Sequence, residues 1–275
     1  AGLVNAWLYA YEPKHKNDYA LILEDDLQVS PHYYRYIQNA IHAYYEAANQ
    51  NNNNTESSQP KIAGISLQQQ TLCPAAPKKT LQQTGIFASR FVGSWGFSPN
   101  PLQWMLFLEE VRHHRHTLNP DVPGLITSEW HKKTKKGAMW TQFFTWFANK
   151  HNLYTLYFHP PEPHTALAVP YFQNGNHYKM RAHKNTACLQ TWKPQWDAFF
   201  DNRKCLPLVD WDCASQDEQC SQTHSRHNSP PQQNTNTPTE QKDNVSFEHM
   251  QLNTLTVHPT LPNQTSQIPN ISQKE

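Results

Sequence analysis

The aromatic residues are confined to the first three quarters of the chain, which limits where a hydrophobic core can form. Of the 33 Phe, Trp and Tyr residues in 275, only Phe247 lies beyond Trp211. Residues 214–275 are instead rich in Gln, Asn, Ser, Thr and Pro, and such a composition buries too little apolar surface to offset the entropy lost on folding. We therefore expect one folded domain over residues 1–213, with a polar loop insertion at 49–60, and a disordered tail over 214–275.

The charge balance excludes one broad class of function. Lys and Arg total 23 and Asp and Glu total 22, so the formal net charge is +1. A chain built to coat nucleic acid needs a marked basic excess, so we expect no nucleic-acid partner. No apolar run approaches the length of a membrane span, and membrane contact is expected only through an N-terminal anchor that the sequence does not include.

Apolar runs alternate with stretches of helical periodicity along the expected domain. The run Tyr19–Glu24 is continuously apolar until its acidic end, which is typical of a strand buried on both faces. The same pattern predicts further strands at Lys61–Leu67, Ile86–Ser89 and Leu153–Phe158. Helices are predicted at Gly2–Tyr11, at a segment with Ser30 as its N-cap and Pro31 as its first residue, at Pro101–Arg115 and at Ala138–Asn149. This alternation indicates an α/β fold with a mixed sheet flanked by helices.

Three acids, Glu24, Asp25 and Asp26, end the first predicted strand. In open α/β sheets, ligands bind where strands end at their carboxyl side. Adjacent carboxylates repel one another, and a divalent cation relieves that repulsion. Hard oxygen ligands suit Mn²⁺ or Mg²⁺, which bridge carboxylates to phosphate oxygens. The alternative is an acidic turn that caps the following helix through its dipole.

The segment LILEDDLQVSPHYYRYIQNAI resembles the strand–acid–helix segment of GT-A-type glycosyltransferases. It is most similar to the N-acetylglucosaminyltransferase I family and to a group of uncharacterised family-2-like glycosyltransferases. The resemblance extends to a GSWG-type segment at Phe91–Phe97, to the run Trp130–Lys133 and to a late strand at Tyr154–Pro160. It spans residues 2–178 and implies a truncated GT-A-like, Rossmann-related fold.

The resemblance also implies a chemistry and a set of partners. In GT-A enzymes the acidic motif holds a divalent cation, which binds the diphosphate of a nucleotide sugar. By that resemblance Asp26 is the first choice for metal contact, and Asp25 and Glu24 face the ribose, the donor sugar or metal-bound water. The implied donor is a UDP- or GDP-sugar, and the implied acceptor is the hydroxyl of a glycan or glycoprotein. A late histidine near the metal or diphosphate is common in such proteins, which makes His177 a candidate ligand.

Other candidates come from the later segments. Trp95 lies between Gly93 and Gly96 in GSWGF, which suggests an indole that stacks on a sugar, with the Gly96 backbone close to the ligand. Its alternative is a core tryptophan in a tight turn. By the resemblance, Glu129 is the first candidate for the base that deprotonates the acceptor, since the corresponding region of the N-acetylglucosaminyltransferase I family is rich in Asp and Trp. Asp121 is its rival, and the alternative for both is a solvated surface acid.

The cysteines and glycosylation sequons bear on the compartment. Cys73, Cys188, Cys205, Cys213 and Cys220 form no CxxC pair, so we expect disulfides rather than a zinc site. Sequons occur at Asn53, Asn244, Asn263 and Asn270. Together with the resemblance they favour the secretory pathway, in the Golgi or endoplasmic reticulum lumen.

The expected protein is a fragment of a metal-dependent glycosyltransferase, inactive alone, because the nucleotide-binding βα portion of the family would precede Ala1. Three alternatives stay open. The first is a non-catalytic carbohydrate-binding protein with a degenerate glycosyltransferase fold. The second is a glycoside hydrolase, which would need a second carboxylate across a cleft. The third is an interaction protein whose polar tail carries the function.

Overall fold

The computed structural model describes Leu8 and residues 11–46, 61–114, 118–133, 139–171, 186–201, 206–215 and 253–257. The strands in these residues are β1 (Ala20–Glu24), β2 (Leu27–Val29), β3 (Ile62–Ser66), β4 (Gly85–Ser89), β5 (Phe97–Pro99), β6 (Tyr154–His159), β7 (Thr165–Ala166), β8 (Ala168–Pro170), β9 (Ala187–Cys188), β10 (Leu208–Val209) and β11 (Asn253–Val257). The helices are α1 (Tyr33–Ile41), α2 (Pro101–His114), α3 (Ile126–Lys133), α4 (Trp140–Lys150) and α5 (Ala198–Asp201). A π-helical turn, His42–Glu46, extends α1.

Within the described residues, seven strands form one mixed sheet in the order β10–β4–β6–β3–β5–β1–β11. Strands β1 and β11 are parallel, as are β3 and β6, while β5 lies antiparallel between β1 and β3. The C-terminal ends of β1, β3 and β6 therefore share one edge of the sheet with the start of β4 and of β5. We call this edge the carboxyl edge. The predicted α/β class and mixed sheet are confirmed, whereas the GT-A fold stays a prediction.

Strand β1 is buried on both faces, as its continuous apolar run predicts. Leu21 packs in a core cluster on one face of the sheet, and Ala20 and Ile22 pack in a second cluster on the other. Helix α1 covers the first face and helices α2 and α4 cover the second. Each large apolar side chain buried in this way stabilises the fold by about 1.5–3 kcal/mol.

Strand β5, which the sequence analysis did not predict, is held by a close contact with β3. A Cβ atom added to Gly64 would lie 2.2 Å from the Phe97 ring, so only glycine fits beneath this ring. The Phe97 ring then packs against Trp140 and Phe144 of α4, with ring centroids 5.9 and 5.5 Å away. These contacts join β3, β5 and α4 into one core.

The helix after β1 begins later than predicted. Ser30 and Pro31 precede α1, whose N-cap is His32 without a side-chain cap hydrogen bond. Ser30 is buried, and its hydroxyl donates to the carbonyl of Leu189 at 2.7 Å. The expected N-cap thus anchors the segment near β9 instead.

The segment after β9 docks on α1 through one carboxylate. Asp197 accepts hydrogen bonds from Arg35, from Asn39 at 2.9 Å and from the Trp192 indole at 3.0 Å. Because Arg35 and Asn39 both lie on α1, Asp197 joins this helix to the later segment. The Arg35 pair is largely exposed, so solvent screening limits its contribution to about 0–1 kcal/mol.

A disulfide joins Cys73, in the loop after β3, to Cys213, after β10. The two residues are 140 positions apart, so the bond closes a long loop and restricts the unfolded chain. Cys188 is a buried free thiol. Cys205 and Cys220 lie outside the described residues, as do the four sequons and the predicted loop at 49–60.

Strand β11 lies within the segment that the composition predicts to be disordered. Its five residues, NTLTV, pair in parallel with β1, with Ala20 opposite Asn253 and Glu24 opposite Val257. The β-branched threonines and valine favour extended backbone, and β1 supplies the partner that a short polar strand lacks alone. The prediction of a disordered tail therefore does not hold at 253–257. Across the described ranges, no helix is long and apolar enough to cross a bilayer.

Removing β11 should destabilise the domain, because β1 would become an edge strand. We expect a chain ending at residue 250 to unfold about 5–15 °C below the full chain, since the ladder hydrogen bonds together contribute about 2–5 kcal/mol. A chain ending at Val257 is the matched control and should keep the Tm of the full chain. Thermal unfolding monitored by circular dichroism measures both. Equal Tm values for the two truncations would contradict the assignment of β11 to this edge.

Candidate functional site

The three acids after β1 lie in three different environments. Glu24 is the last residue of β1 and is half-buried, Asp25 is exposed, and Asp26 is 8% exposed. Asp25 and Asp26 form the turn between β1 and β2. Because the strand ends at Glu24, the alternation of side chains does not continue through all three residues, and Glu24 and Asp26 do not simply share one face.

The acidic turn lies at the carboxyl edge and not at a helix N-terminus. Strand β2 separates Asp26 from α1, and the first turn of α1 contains no acid. The interpretation of these acids as a cap for the following helix is therefore wrong. The turn is fixed from the other side as well, since the Tyr171 N–H donates to the carbonyl of Asp26 at 2.9 Å.

The GSWG segment lies at the same edge of the sheet as the acidic turn. It immediately precedes β5, and Phe97 of β5 pairs with Ile22 of β1 and with Ser66 of β3. Gly96 has φ +65°, and a Cβ there would lie 2.6 Å from the Leu67 side chain. The carbonyl of Gly96 also accepts a hydrogen bond from the Leu67 N–H at 2.9 Å. Gly96 is thus required for the fit of the loop against Leu67.

Trp95 does not present its indole at the surface. The side chain is 3% exposed and packs in the same core cluster as Leu67 and Tyr36. This burial matches the alternative of a core tryptophan in a tight turn, and it gives no support to sugar stacking. Gly93 and Gly96 let the loop pack closely against other parts of the protein. They therefore do not expose the Trp95 ring.

A buried polar cluster fixes the start of the GSWG segment, and sequence reasoning missed it. The Tyr157 hydroxyl donates to the Phe91 carbonyl at 2.9 Å and also hydrogen-bonds the backbone of Gly93 and the hydroxyl of Ser66. Burial raises the pKa of Tyr157 well above its usual value, so the phenol stays neutral. A Cβ at Gly93 would meet Gln68 and Ser66 oxygens at 2.8 Å. A tyrosine in an apolar strand gives no sequence signal of this role.

His159 ends β6 at the carboxyl edge and is a structural histidine. Its Nδ1 hydrogen-bonds the Gln83 carbonyl at 2.8 Å, and its Nε2 accepts from the Gln70 N–H at 2.9 Å. Burial lowers the pKa of His159 to about 4, so the ring is neutral near pH 7. Both ring nitrogens are occupied by the backbone, which leaves no nitrogen for a metal or a substrate.

Glu129 and Asp121, the two candidate bases, lie together around α3. Lys132 is 2.9 Å from Glu129 and 3.2 Å from Asp121, and these two hydrogen bonds raise the pKa of Lys132. The Glu129 side chain is 57% exposed and that of Asp121 is 27% exposed. Nearby, burial lowers the pKa of His131. The structure thus brings the two candidates together and pairs both with one lysine.

The acidic turn offers carboxylate oxygens as ligands for a divalent cation. No group of three or more His, Cys, Asp or Glu side chains in the described ranges is arranged to hold a metal. Mg²⁺ and Mn²⁺ nonetheless need only one or two protein carboxylates when phosphate oxygens and water complete the shell. Asp25 and Asp26 supply two such carboxylates. His177 lies outside the described residues.

Comparison with known proteins adds no identification. No model of a protein family matches the sequence, and no curated protein matches it either. The GT-A resemblance therefore stays a prediction that depends on the segments quoted above.

Replacing Gly96 should test whether the loop needs its close fit to Leu67. We expect Gly96→Ala to lose about 2–4 kcal/mol of unfolding free energy, because a positive φ and a steric overlap act together. Gly124→Ala is the matched control, since Gly124 has φ +82° but no atom within 4 Å of an added Cβ. Its cost should be about 1 kcal/mol. Urea unfolding measures both, and equal losses would show that Leu67 does not restrain the loop.

Proposed function

We propose that the chain is part of a metal-dependent glycosyltransferase that transfers a sugar from a nucleotide sugar to a hydroxyl acceptor. One observation supports this most: a turn with two aspartates follows a strand, β1, whose first three residues are buried, and it lies at the carboxyl edge beside the GSWG segment. Ligands of α/β proteins bind at that edge. The same two segments carry the resemblance to GT-A enzymes.

The differing burial of the two aspartates suits the proposed role. Asp26 is 8% exposed, so neighbouring protein encloses most of its side chain before any ligand arrives. Asp25 is exposed and accessible to a ligand from solvent. Preorganised charge of this kind stabilises a bound cation without later rearrangement.

Asp26 and Asp25 would hold the Mn²⁺ or Mg²⁺, and Glu24 would lie beside the donor. A bound cation supplies Lewis acidity that stabilises the charge developing on the departing nucleoside diphosphate. The protein's own contribution is to hold these carboxylates at the end of a rigid strand and to orient the donor between them and the GSWG backbone.

Deprotonation of the acceptor hydroxyl needs a carboxylate base. Glu129 and Asp121 remain the proposed candidates, and Lys132 would compete with the acceptor for both. This pairing favours the second candidate function, a carbohydrate-binding protein that retains the fold without transfer. Both candidate functions include binding of the nucleotide sugar. Only the glycosyltransferase also transfers the sugar to an acceptor.

The secretory location is part of the proposal. The Cys73–Cys213 disulfide supports it, because such bonds persist in oxidising compartments. Peptide mapping of the protein secreted from eukaryotic cells should recover Cys73 and Cys213 as one cross-linked peptide. Recovery of both as free thiols would count against this location.

Donor binding is the direct test of the proposal. We expect titration calorimetry of the full-length protein with UDP- and GDP-sugars to give binding only when Mn²⁺ or Mg²⁺ is present. Asp26→Asn should weaken that binding at least about tenfold, which corresponds to about 1.4 kcal/mol, because one anionic ligand is lost.

Glu109→Gln is the matched control, since Glu109 is an exposed acid on α2. It should bind donors as the unmodified chain does. The absence of binding to every donor, or equal affinity in Asp26→Asn and the unmodified chain, would refute the metal-dependent donor site. Release of nucleoside diphosphate with an acceptor present then separates transfer from binding alone.

A further inference from the structure

Tyr171 is a large aromatic residue whose ring is mostly exposed to solvent. Of the described residues, three large hydrophobic side chains are exposed, and Tyr171 at 68% is more so than Leu106 at 52% or Leu102 at 40%. The two leucines lie on the outer side of α2, whereas Tyr171 immediately follows β8. Single exposed apolar residues are common, so the position of Tyr171 must decide whether its exposure matters.

The position of Tyr171 is set by the ladder between β2 and β8. These strands are antiparallel, with Leu27 opposite Pro170 and Gln28 opposite Val169. One step further along this register brings Tyr171 opposite Asp26, and the 2.9 Å hydrogen bond between their backbones shows that the pairing continues to this point. Directly opposed residues of such a pair have Cα atoms about 5.5 Å apart. Tyr171 is therefore a neighbour of the acidic turn.

The base of the Tyr171 side chain is firmly held. Ala168 and Val169 of β8 are buried, and Ala168 also bridges to Gln68 beyond the end of β3. Proline at position 170 restricts the backbone just before the tyrosine. The ring thus extends from a fixed point at the carboxyl edge, and the exposed Asp25 directly precedes Asp26, the backbone partner of Tyr171.

We propose that Tyr171 and Asp25 form a binding platform for a pyranose ring. The apolar C–H face of the sugar packs on the exposed phenol ring, and the Asp25 carboxylate accepts hydrogen bonds from sugar hydroxyls. An aromatic face beside a carboxylate matches the two surfaces of a sugar, one apolar and one rich in donors. The inference rests on the proposed function, because it assigns the sugar position of that same site.

The platform also replaces the stacking residue that the sequence predicted. Trp95 is buried in the core, so its ring is not accessible to a sugar. Tyr171 provides an accessible ring at the same edge of the sheet. Its position could not be read from the sequence, because it depends on the pairing of β2 with a strand that lies 139 residues later, counted from Val29 to Ala168.

The test compares ligands that contain the sugar with ligands that lack it. The probes are UDP-N-acetylglucosamine, UDP-glucose, UDP-galactose and GDP-mannose, each against UDP or GDP alone, all with Mn²⁺. We expect Tyr171→Ala to weaken binding of the preferred nucleotide sugar about three- to tenfold, while UDP or GDP binds unchanged. Tyr171→Trp should retain the affinity, because it keeps an aromatic face.

Leu106→Ala is the matched control, since it removes a similarly exposed apolar side chain from α2. It should leave every affinity unchanged, and the Tm of each variant should stay within about 2 °C of the unmodified chain. Methyl glycosides of the same sugars, measured by saturation-transfer NMR, distinguish an acceptor sugar from a donor sugar. A Tyr171→Ala effect confined to the methyl glycosides supports the platform and assigns it to the acceptor.

Two results would overturn the inference while the proposed function stands. One is unchanged binding of both nucleotide sugars and methyl glycosides in Tyr171→Ala. The other is an equal loss for nucleotide sugars and for UDP or GDP alone, which would place Tyr171 against the nucleotide. Failure of the unmodified chain to bind any donor would overturn the proposed function and this inference together.

Discussion

The contact between Phe97 and Gly64 is the constraint on which the arrangement of the carboxyl edge depends. It seats β5 antiparallel between β1 and β3, because any side chain larger than hydrogen at position 64 would occupy the space of the ring. With β5 in this position, the GSWG segment returns to the edge where β1 ends. The acidic turn and the GSWG segment, some 70 residues apart in sequence, become neighbours through the pairing of Phe97 with Ile22. A larger residue at position 64 would therefore disturb the candidate site as well as the core.

The elements that long apolar runs mark could be predicted from the sequence, whereas the short paired strands could not. Strand β1, at Ala20–Glu24, and helix α4, at Trp140–Lys150, lie close to their predicted bounds because burial on both faces or a dense aromatic pattern marks them in the sequence. Strands β5 and β11 contain three and five residues, and each depends on a distant partner, since β5 pairs with β3 and β1 and β11 pairs with β1. Local composition cannot reveal a strand whose stability comes from a distant neighbour. This is why the composition of residues 214–275 predicted disorder where 253–257 form a strand.

The sequence predicts the charged residues of the candidate site, but it does not predict which side chains of the site are exposed. An acidic cluster after an apolar strand indicated the turn at Asp25 and Asp26, but the end of the strand at Glu24 decides which carboxylate is buried. Trp95 has small neighbours in the sequence, and in three dimensions Leu67 and the core enclose it. The exposed aromatic ring at this edge is instead Tyr171, whose place follows from strand register alone. Charge can be read locally, whereas exposure depends on packing.

The central claim is that the turn after β1 binds a divalent cation together with a nucleotide sugar, and crystallography tests it most directly. Crystals of the full-length protein grown with Mn²⁺ and UDP would be measured at the manganese absorption edge. We expect an anomalous peak about 2.0–2.3 Å from carboxylate oxygens of Asp25 or Asp26, with the diphosphate of UDP on the other side of the manganese ion. Bound UDP with manganese at some other place, or crystals at saturating Mn²⁺ with no anomalous peak beside these two residues, would contradict it.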